Sequence, residues 1–202
     1  LEACLEHEVK RVVIPSSIAA FGPDTPKIDT PNETIQRPDT VYGISKVFTE
    51  LIGNYYFAKL GVDVRGLRLP GIISWMTEPT SGTTDYAVAM FHGAINEGSY
   101  VCYLRPDTRL PMMYMPDAIR AIIELAEAGL DRLNHHTDFN VHAMSFTPAE
   151  LYDHIRSRIP DFTVRYEIDP LRQRIADSWP QSLDDSPARI EWGWAPRYDL
   201  EA

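Results

Sequence analysis

The sequence predicts an α/β fold built on parallel strands, and three observations carry the prediction. Lys10-Arg11-Val12-Val13-Ile14 is a β-branched run too short for a helix, and Val62-Asp63-Val64-Arg65-Gly66-Leu67-Arg68-Leu69 reads as a second strand. Each closes at turn formers, Pro15 in the first case and Pro70-Gly71 in the second. Between them lies a long segment of helical periodicity, and the order strand, loop, helix, strand calls for a right-handed crossover between parallel strands.

The chain opens at Leu1, without a Met, on a helical turn in which Leu1, Cys4, Leu5 and Val9 share one face. Residues 10–14 form the first strand, and the continuous apolar run Val12-Val13-Ile14 suits burial on both faces. Residues 21–40 contain Pro23, Pro26, Pro31 and Pro38 among Asp and Thr and are expected to form an exposed loop. From Val41 the period becomes helical. Val41, Ile44, Phe48, Leu51, Ile52 and Tyr55 make one apolar stripe, and Gly61 ends the helix as a C-cap residue. Residues 62–69 are the second strand.

Further on, a helix is expected over 84–96, short strands over 100–104 and 110–115, and a helix over 116–130 with Pro116 in its first turn. Residues 139–142 form a strand, and Thr147-Pro148-Ala149-Glu150 is a capping box that opens a helix over 147–159. A last strand is expected over 162–168. The closing Tyr198-Asp199-Leu200-Glu201-Ala202 begins an apolar pattern rather than finishing one, so both ends are expected to be cuts within a longer architecture.

The length of 202 residues suits one large domain or one and a half small ones, at roughly 100–200 residues each. With 44% hydrophobic and 24% charged residues the composition is globular, which excludes collagen-like and disordered chains. Asp and Glu outnumber Lys and Arg by 29 to 19, giving a net charge of −10, so no basic footprint for a nucleic acid is expected. No apolar run approaches the roughly 20 residues of a membrane span, and no secretory layout opens the chain, so a soluble protein is expected. Cys4 and Cys102 stand far apart, in neither a disulfide framework nor a zinc spacing, which suits a reducing, cytoplasmic setting.

Chemistry is expected at the carboxyl ends of the strands, where open parallel sheets place their ligand crevice. Ser16 and Ser17 end the first strand, although a pair of serines near a turn serves equally well to bind turn backbone. Tyr42 and Lys46 open the following helix four residues apart, on one face, with β-carbons about 5–6 Å apart. A nearby cation favours a phenolate over a phenol, so this spacing can make a tyrosine a base. His135, His136 and His142 have no ligand spacing, and no metal is expected. Met112, Met113 and Met115 suit core filling or the lining of a site, Asp117 suits the positive end of a helix, and Trp75 lies where it could close over a ligand.

Taken together, Ser17, Tyr42 and Lys46, with Pro15-Ser16-Ser17-Ile18-Ala19-Ala20-Phe21-Gly22 before the loop, resemble the extended short-chain dehydrogenase/reductase superfamily. Within it, Gly82-Thr83-Thr84-Asp85-Tyr86 and Arg109-Leu110-Pro111-Met112-Met113-Tyr114-Met115-Pro116-Asp117 are similar to the short-chain type of L-threonine 3-dehydrogenase. So are Leu67 to Trp75 and the run from Trp179-Pro180 to Trp192-Gly193-Trp194.

The resemblance implies a Rossmann-like, doubly wound parallel sheet, here its C-terminal part, with a smaller α/β lobe for substrate. Residues 1–75 would be the second half of the NAD-binding domain. Residues 76–202 would be mainly the substrate lobe, with segments returning to the first domain. It further implies that NAD⁺ oxidises the 3-hydroxyl of L-threonine to give 2-amino-3-ketobutyrate. Tyr42 would be the general base and Lys46 its activator and a ribose ligand, while Ser17 would hydrogen-bond the reacting oxygen. Pro70, Gly71 and Ile72 would meet the nicotinamide. Gly82, Thr83 and Thr84 would hold the amino acid, with Ser16 as a further contact. A plain strand-ending turn at Pro70-Gly71 and a helix N-cap at Thr83 or Thr84 are the simpler roles that compete with these.

The chain departs from the superfamily at its front. None of its 11 glycines forms the Gly-x-x-Gly-x-x-Gly turn that seats a dinucleotide pyrophosphate. The resemblance thus implies that about three βα units, at ~30 residues each, are missing along with the adenine and pyrophosphate sites. Two other functions compete: a nucleotide-sugar epimerase or dehydratase sharing Ser17, Tyr42 and Lys46, and a catalytically silent fragment. Members of the superfamily it resembles commonly dimerise through the helix bearing Tyr and Lys and the helix before it, so a homodimer is expected, with a monomer as the alternative.

Overall fold

The computed structural model describes residues 1–201 and begins with a short helix, α1 (Glu2–Glu6), leading into β1 (Val12–Ser17), α2 (Val41–Leu60) and β2 (Val64–Leu69). The three-residue strand β3 (Gly71–Ile73) follows, then α3 (Tyr86–Asn96), β4 (Ser99–Cys102), β5 (Leu110–Tyr114) and α4 (Met115–Glu127). The remainder is β6 (Phe139–Asn140), β7 (Met144–Phe146), α5 (Pro148–Arg158), β8 (Thr163–Tyr166), α6 (Pro170–Ser178) and α7 (Ser186–Trp192).

β2 is the centre of the first sheet. It pairs in parallel with β1, from Val12 against Val64 to Ser17 against Leu69, and in parallel with β6 on its other side. Alternate β2 side chains point to opposite faces. Leu67 packs with Ala118, Ala121 and Leu125 of α4, whereas Val64 packs with Tyr56 of α2. Helices therefore cover both faces of a parallel sheet, the Rossmann-like arrangement. A second sheet, β3-β5-β7, is parallel between β3 and β5 and antiparallel between β5 and β7, and β4 pairs with β8 in parallel. The largest apolar cluster lies here, around Tyr86, Met90, Leu104, Phe146, Leu151 and Phe162.

The structure corrects the sequence expectations at several points. β1 does not end at Pro15 but runs through it to Ser17, and it is only partly buried. Both follow from its place at the edge: among the described residues β2 is its one strand neighbour, and a proline is tolerated where one side of a strand makes no ladder. The apolar stripe of α2 points outward, with Val41, Ile44, Phe48, Leu51 and Tyr55 exposed. The face laid on the sheet carries Gly43, Glu50, Gly53 and Tyr56 instead. The helix expected through residue 130 stops at Glu127, and a separate 3-10 turn, Leu130–Arg132, follows. β3, β7, α6 and α7 are elements the sequence reading did not mark.

Other expectations hold in detail. α2 starts where the Thr40 side chain accepts the Gly43 N–H at 3.0 Å and ends at Gly61, whose φ of 70° is left-handed. The Thr147–Glu150 capping box is formed in both directions at the start of α5. No helix among the described residues is long and apolar enough to cross a membrane.

Candidate active site

Ser16 and Ser17 leave the end of β1 on opposite faces, as neighbouring strand residues must. The Ser17 hydroxyl accepts the Ala19 N–H at 3.2 Å, capping the 3-10 turn Ile18–Ala20 on the cleft side. Ser16 is 3% exposed and donates to the Glu50 carboxylate of α2. The expectation that Ser16 reaches substrate is therefore corrected: its side chain belongs to the packing between β1 and α2.

Gly43 brings the start of α2 against that turn. A β-carbon at position 43 would lie 2.2 Å from the Ala19 carbonyl oxygen, a distance no side chain tolerates. This close approach brings the start of α2 to the cavity that Ser17 and Tyr42 both line. Lys46, one turn on, donates to the Pro15 carbonyl at 2.8 Å, and its ammonium lies 5.4 Å from the centre of the Tyr42 ring. Lys46 thus fastens α2 to β1 while keeping a positive charge beside the Tyr42 ring.

Ser17 and Tyr42 open into a cavity of about 490 Å³, within the range of small-ligand sites. Its second wall is Pro70, Gly71 and Ile72, at the end of β2 and the start of β3. Its roof is the segment Ser81, Gly82, Thr83, Thr84 and Asp85. Ser17, Tyr42, Pro70, Gly71, Ile72, Gly82, Thr83 and Thr84, all designated from sequence, line this one space, while Lys46 and Ser16 stand behind it. Gly71 is what lets roof and wall meet, because a β-carbon there would lie 2.8 Å from the Thr84 side chain and 2.4 Å from the Met112 sulfur. The competing N-cap role of Thr83 and Thr84 is absent: Gly82 holds the cap position and no side chain caps the turn.

The sequence reading missed the far wall, Ile175 and Trp179, which α6 and its end supply. The available signal was Asp169-Pro170, an N-cap followed by proline at the first helical position. It also missed Asp85, the one carboxylate among the lining residues. One Asp85 oxygen, Oδ2, accepts from the Thr80 N–H at 2.7 Å and the Thr80 hydroxyl at 2.5 Å.

Trp75 does not border this cavity. It is 72% exposed and lies at a larger cavity of about 840 Å³, mainly apolar, which contains none of the Ser, Tyr or Lys set. The histidines have ordinary partners. His135 faces Glu191 at 2.5 Å, His136 stacks on Phe57 with centroids 3.6 Å apart, and His142 meets the Ser145 hydroxyl at 3.0 Å. Burial lowers the pKa of His136 and of His142. Among the described residues no group of three or more His, Cys, Asp or Glu side chains is placed to hold a metal ion. Met112 and Met113 are buried in the core, and Asp117 accepts from Arg120 as well as from the Arg197 and Tyr198 N–H groups.

The chain as a whole is similar to known proteins. The chain is 51% identical to the mitochondrial L-threonine 3-dehydrogenase of Bos taurus over 200 residues, 99% of this chain and 53% of that protein. The holo form of a GalE-like L-threonine dehydrogenase from Cupriavidus necator superposes with a TM-score of 0.97 at 52% identity, covering 99% of this chain and 65% of that one. A monomeric L-threonine 3-dehydrogenase from a metagenome database, in its apo form, superposes with a TM-score of 0.95 at 48% identity, over 99% and 64% of the two chains. The chain spans about half the length of the curated relatives it matches. The sequence profile of the NAD dependent epimerase/dehydratase family matches residues 1–141, and the chain belongs to that family.

Proposed function

We propose that this chain carries the catalytic and substrate-recognising part of an NAD-dependent L-threonine 3-dehydrogenase, whose product is 2-amino-3-ketobutyrate. The observation that carries this reading is the convergence of Ser17, Tyr42 and the Gly82–Thr84 roof on one small cavity. Close identity to L-threonine 3-dehydrogenases over nearly the whole chain supports it.

The residues present suit the nicotinamide end of the cofactor: Ser17, Tyr42 and the Pro70–Ile72 wall line a space with hydroxyl groups on one side and glycine backbone on another, and Lys46 stands behind Tyr42. NAD, when bound, supplies the hydride acceptor. Tyr42 takes the proton of the substrate 3-hydroxyl, with the Lys46 ammonium as counter-charge to the phenolate, and Lys46 reaches the ribose. Ser17 donates to the reacting oxygen and fixes its direction. Thr83, Thr84 and the Gly82 backbone hold the substrate carboxylate, and Asp85 gives its ammonium a partner of opposite sign. The division between a cofactor part over residues 1–75 and a mainly substrate-binding part over 76–202 follows the same reading.

The exposed stripe of α2 supports a homodimer, since contiguous apolar surface rimmed by polar residues marks an association site. Two free thiols, Cys4 and Cys102, support a reducing compartment such as the cytoplasm, while the bovine relative carries a mitochondrial designation.

The test is an NADH-absorbance assay of the native-length protein with L-threonine and NAD⁺. Threonine-dependent NADH supports the reading. Turnover of a nucleotide-sugar without turnover of threonine would replace it with an epimerase or dehydratase, and failure of all dinucleotide binding would make the chain catalytically silent.

A further inference from the structure

Tyr103 stands immediately after β4, behind the roof of the cavity. Its hydroxyl donates to the Gly82 carbonyl at 2.9 Å, with the Thr83 carbonyl 3.3 Å away. Its ring lies under the Arg172 guanidinium, 4.1 Å from the centroid, a cation–π contact. Arg172, Ile175 and Trp179 follow one another at helical spacing along one face of α6 and its end, and the last two line the cavity. A single side chain therefore touches the roof segment and the helix that supplies the far wall.

The roof is otherwise held within itself. Asp85 accepts from Thr80, the Gly82 N–H reaches the Thr80 hydroxyl at 3.3 Å, and the Asp85 N–H returns to the Gly82 carbonyl at 3.2 Å. Among the described residues, Tyr103 makes the one side-chain hydrogen bond from another element to the segment from Thr80 to Asp85. Burial raises its pKa above the ordinary tyrosine range, so its hydroxyl remains a donor at any working pH. The catalytic wall is fastened separately, through Lys46 to Pro15 and Ser16 to Glu50.

We propose that Tyr103 is a positioning residue that sets the substrate subsite of Gly82, Thr83 and Thr84 and registers it, through Arg172, against α6. This rests on the reading that an amino acid substrate occupies this cavity. Tyr103 does not line the cavity, so its effect passes through the carbonyls it holds.

Tyr103→Phe keeps the ring and its contact with Arg172 and deletes only the donor. In the native-length enzyme the KM for L-threonine should rise by about two- to ten-fold, the effect one neutral hydrogen bond commands, while kcat and the KM for NAD⁺ stay within about two-fold. Arg172→Met should also raise the KM for threonine, and the double variant should show less than the product of the two effects. An unchanged KM in Tyr103→Phe, or a fall in kcat at constant KM, overturns the proposal. Should Tyr103→Phe fail to fold, Arg172→Met decides by the same criterion. A wild-type enzyme that makes no NADH from threonine would overturn the functional reading instead.

Discussion

Arg68 of β2 and Glu50 of α2 form a two-pronged ion pair, Nε to Oε1 at 3.0 Å and Nη2 to Oε2 at 2.8 Å, with side chains only 2% and 3% exposed. Further partners surround both groups, with the Asp138 carboxylate 4.0 Å from Arg68 Nη2. Ser16 and Gln36 also donate to Glu50, Arg68 Nη1 donates to the Asn32 carbonyl at 2.7 Å and to Asn140 at 3.2 Å, and the guanidinium lies 4.9 Å from the centre of the Phe21 ring. The pair thus joins the end of β1, the 21–40 loop, α2 and β6 directly beneath the proposed site.

Breaking this pair leaves one charge buried without its partner. Glu50→Ala should lower the unfolding free energy by about 3–5 kcal/mol, measured by urea denaturation. Glu50→Leu combined with Arg68→Met should recover much of that loss. A single variant as stable as the wild type would show that the pair contributes little.

Tyr42→Phe removes the proposed base and leaves the ring in place. Turnover should fall by about 10²–10⁴-fold with dinucleotide binding retained, as read from steady-state rates and a fluorescence titration with NADH. Retention of most activity would remove Tyr42 from that role.

Acid should weaken the protein partly through Asp63. Burial acts to raise its pKa, but hydrogen bonds from Arg65 at 2.8 Å and Arg11 at 2.7 Å outweigh it, and the carboxyl is held below its ordinary value. A carboxylate with a depressed folded-state pKa contributes stability above its unfolded value of about 3.9, and that contribution is lost as pH falls through the lower folded value. Asp63→Asn should therefore be less stable than the wild type at neutral pH, and the difference in Tm should narrow on titration below about pH 4. A gap that stays constant with pH would assign the effect to packing.

Phe48 lies midway along the exposed stripe of α2, 65% accessible in the single chain. In a two-fold interface each substitution acts twice. Phe48→Glu should convert a dimer to protomers, seen by light scattering at micromolar concentration. A protomer mass for the wild type itself would end the dimer proposal.

Local chemistry made much of this legible in the sequence. Gly61 closes α2 because a left-handed glycine acts on its immediate neighbours. Tyr42 and Lys46 fall together for the same reason, one helical turn apart. Properties set by distant partners were not legible. The α2 stripe does not say which way it faces; the Arg68–Glu50 pair, the packing of Tyr56 and Ile52 on the strands and the close approach at Gly53 go with the other face against the sheet. Pro15 ends a strand by its own propensity, yet β1 continues through it because β1 has a single strand neighbour. The role of Tyr103 depends on a contact 21 residues back along the chain, which no periodicity announces.

The roof and far wall of the cavity come from stretches of chain well apart from the one that carries Ser17, Tyr42 and Lys46. Under the proposed function, the proton-handling apparatus and the apparatus of choice are in that sense separable modules. On that reading, exchange of residues 81–85 together with α6 would retune which secondary alcohol is accepted while leaving the proposed acid–base set unaltered, so new selectivities would be open to this scaffold without rebuilding its chemistry.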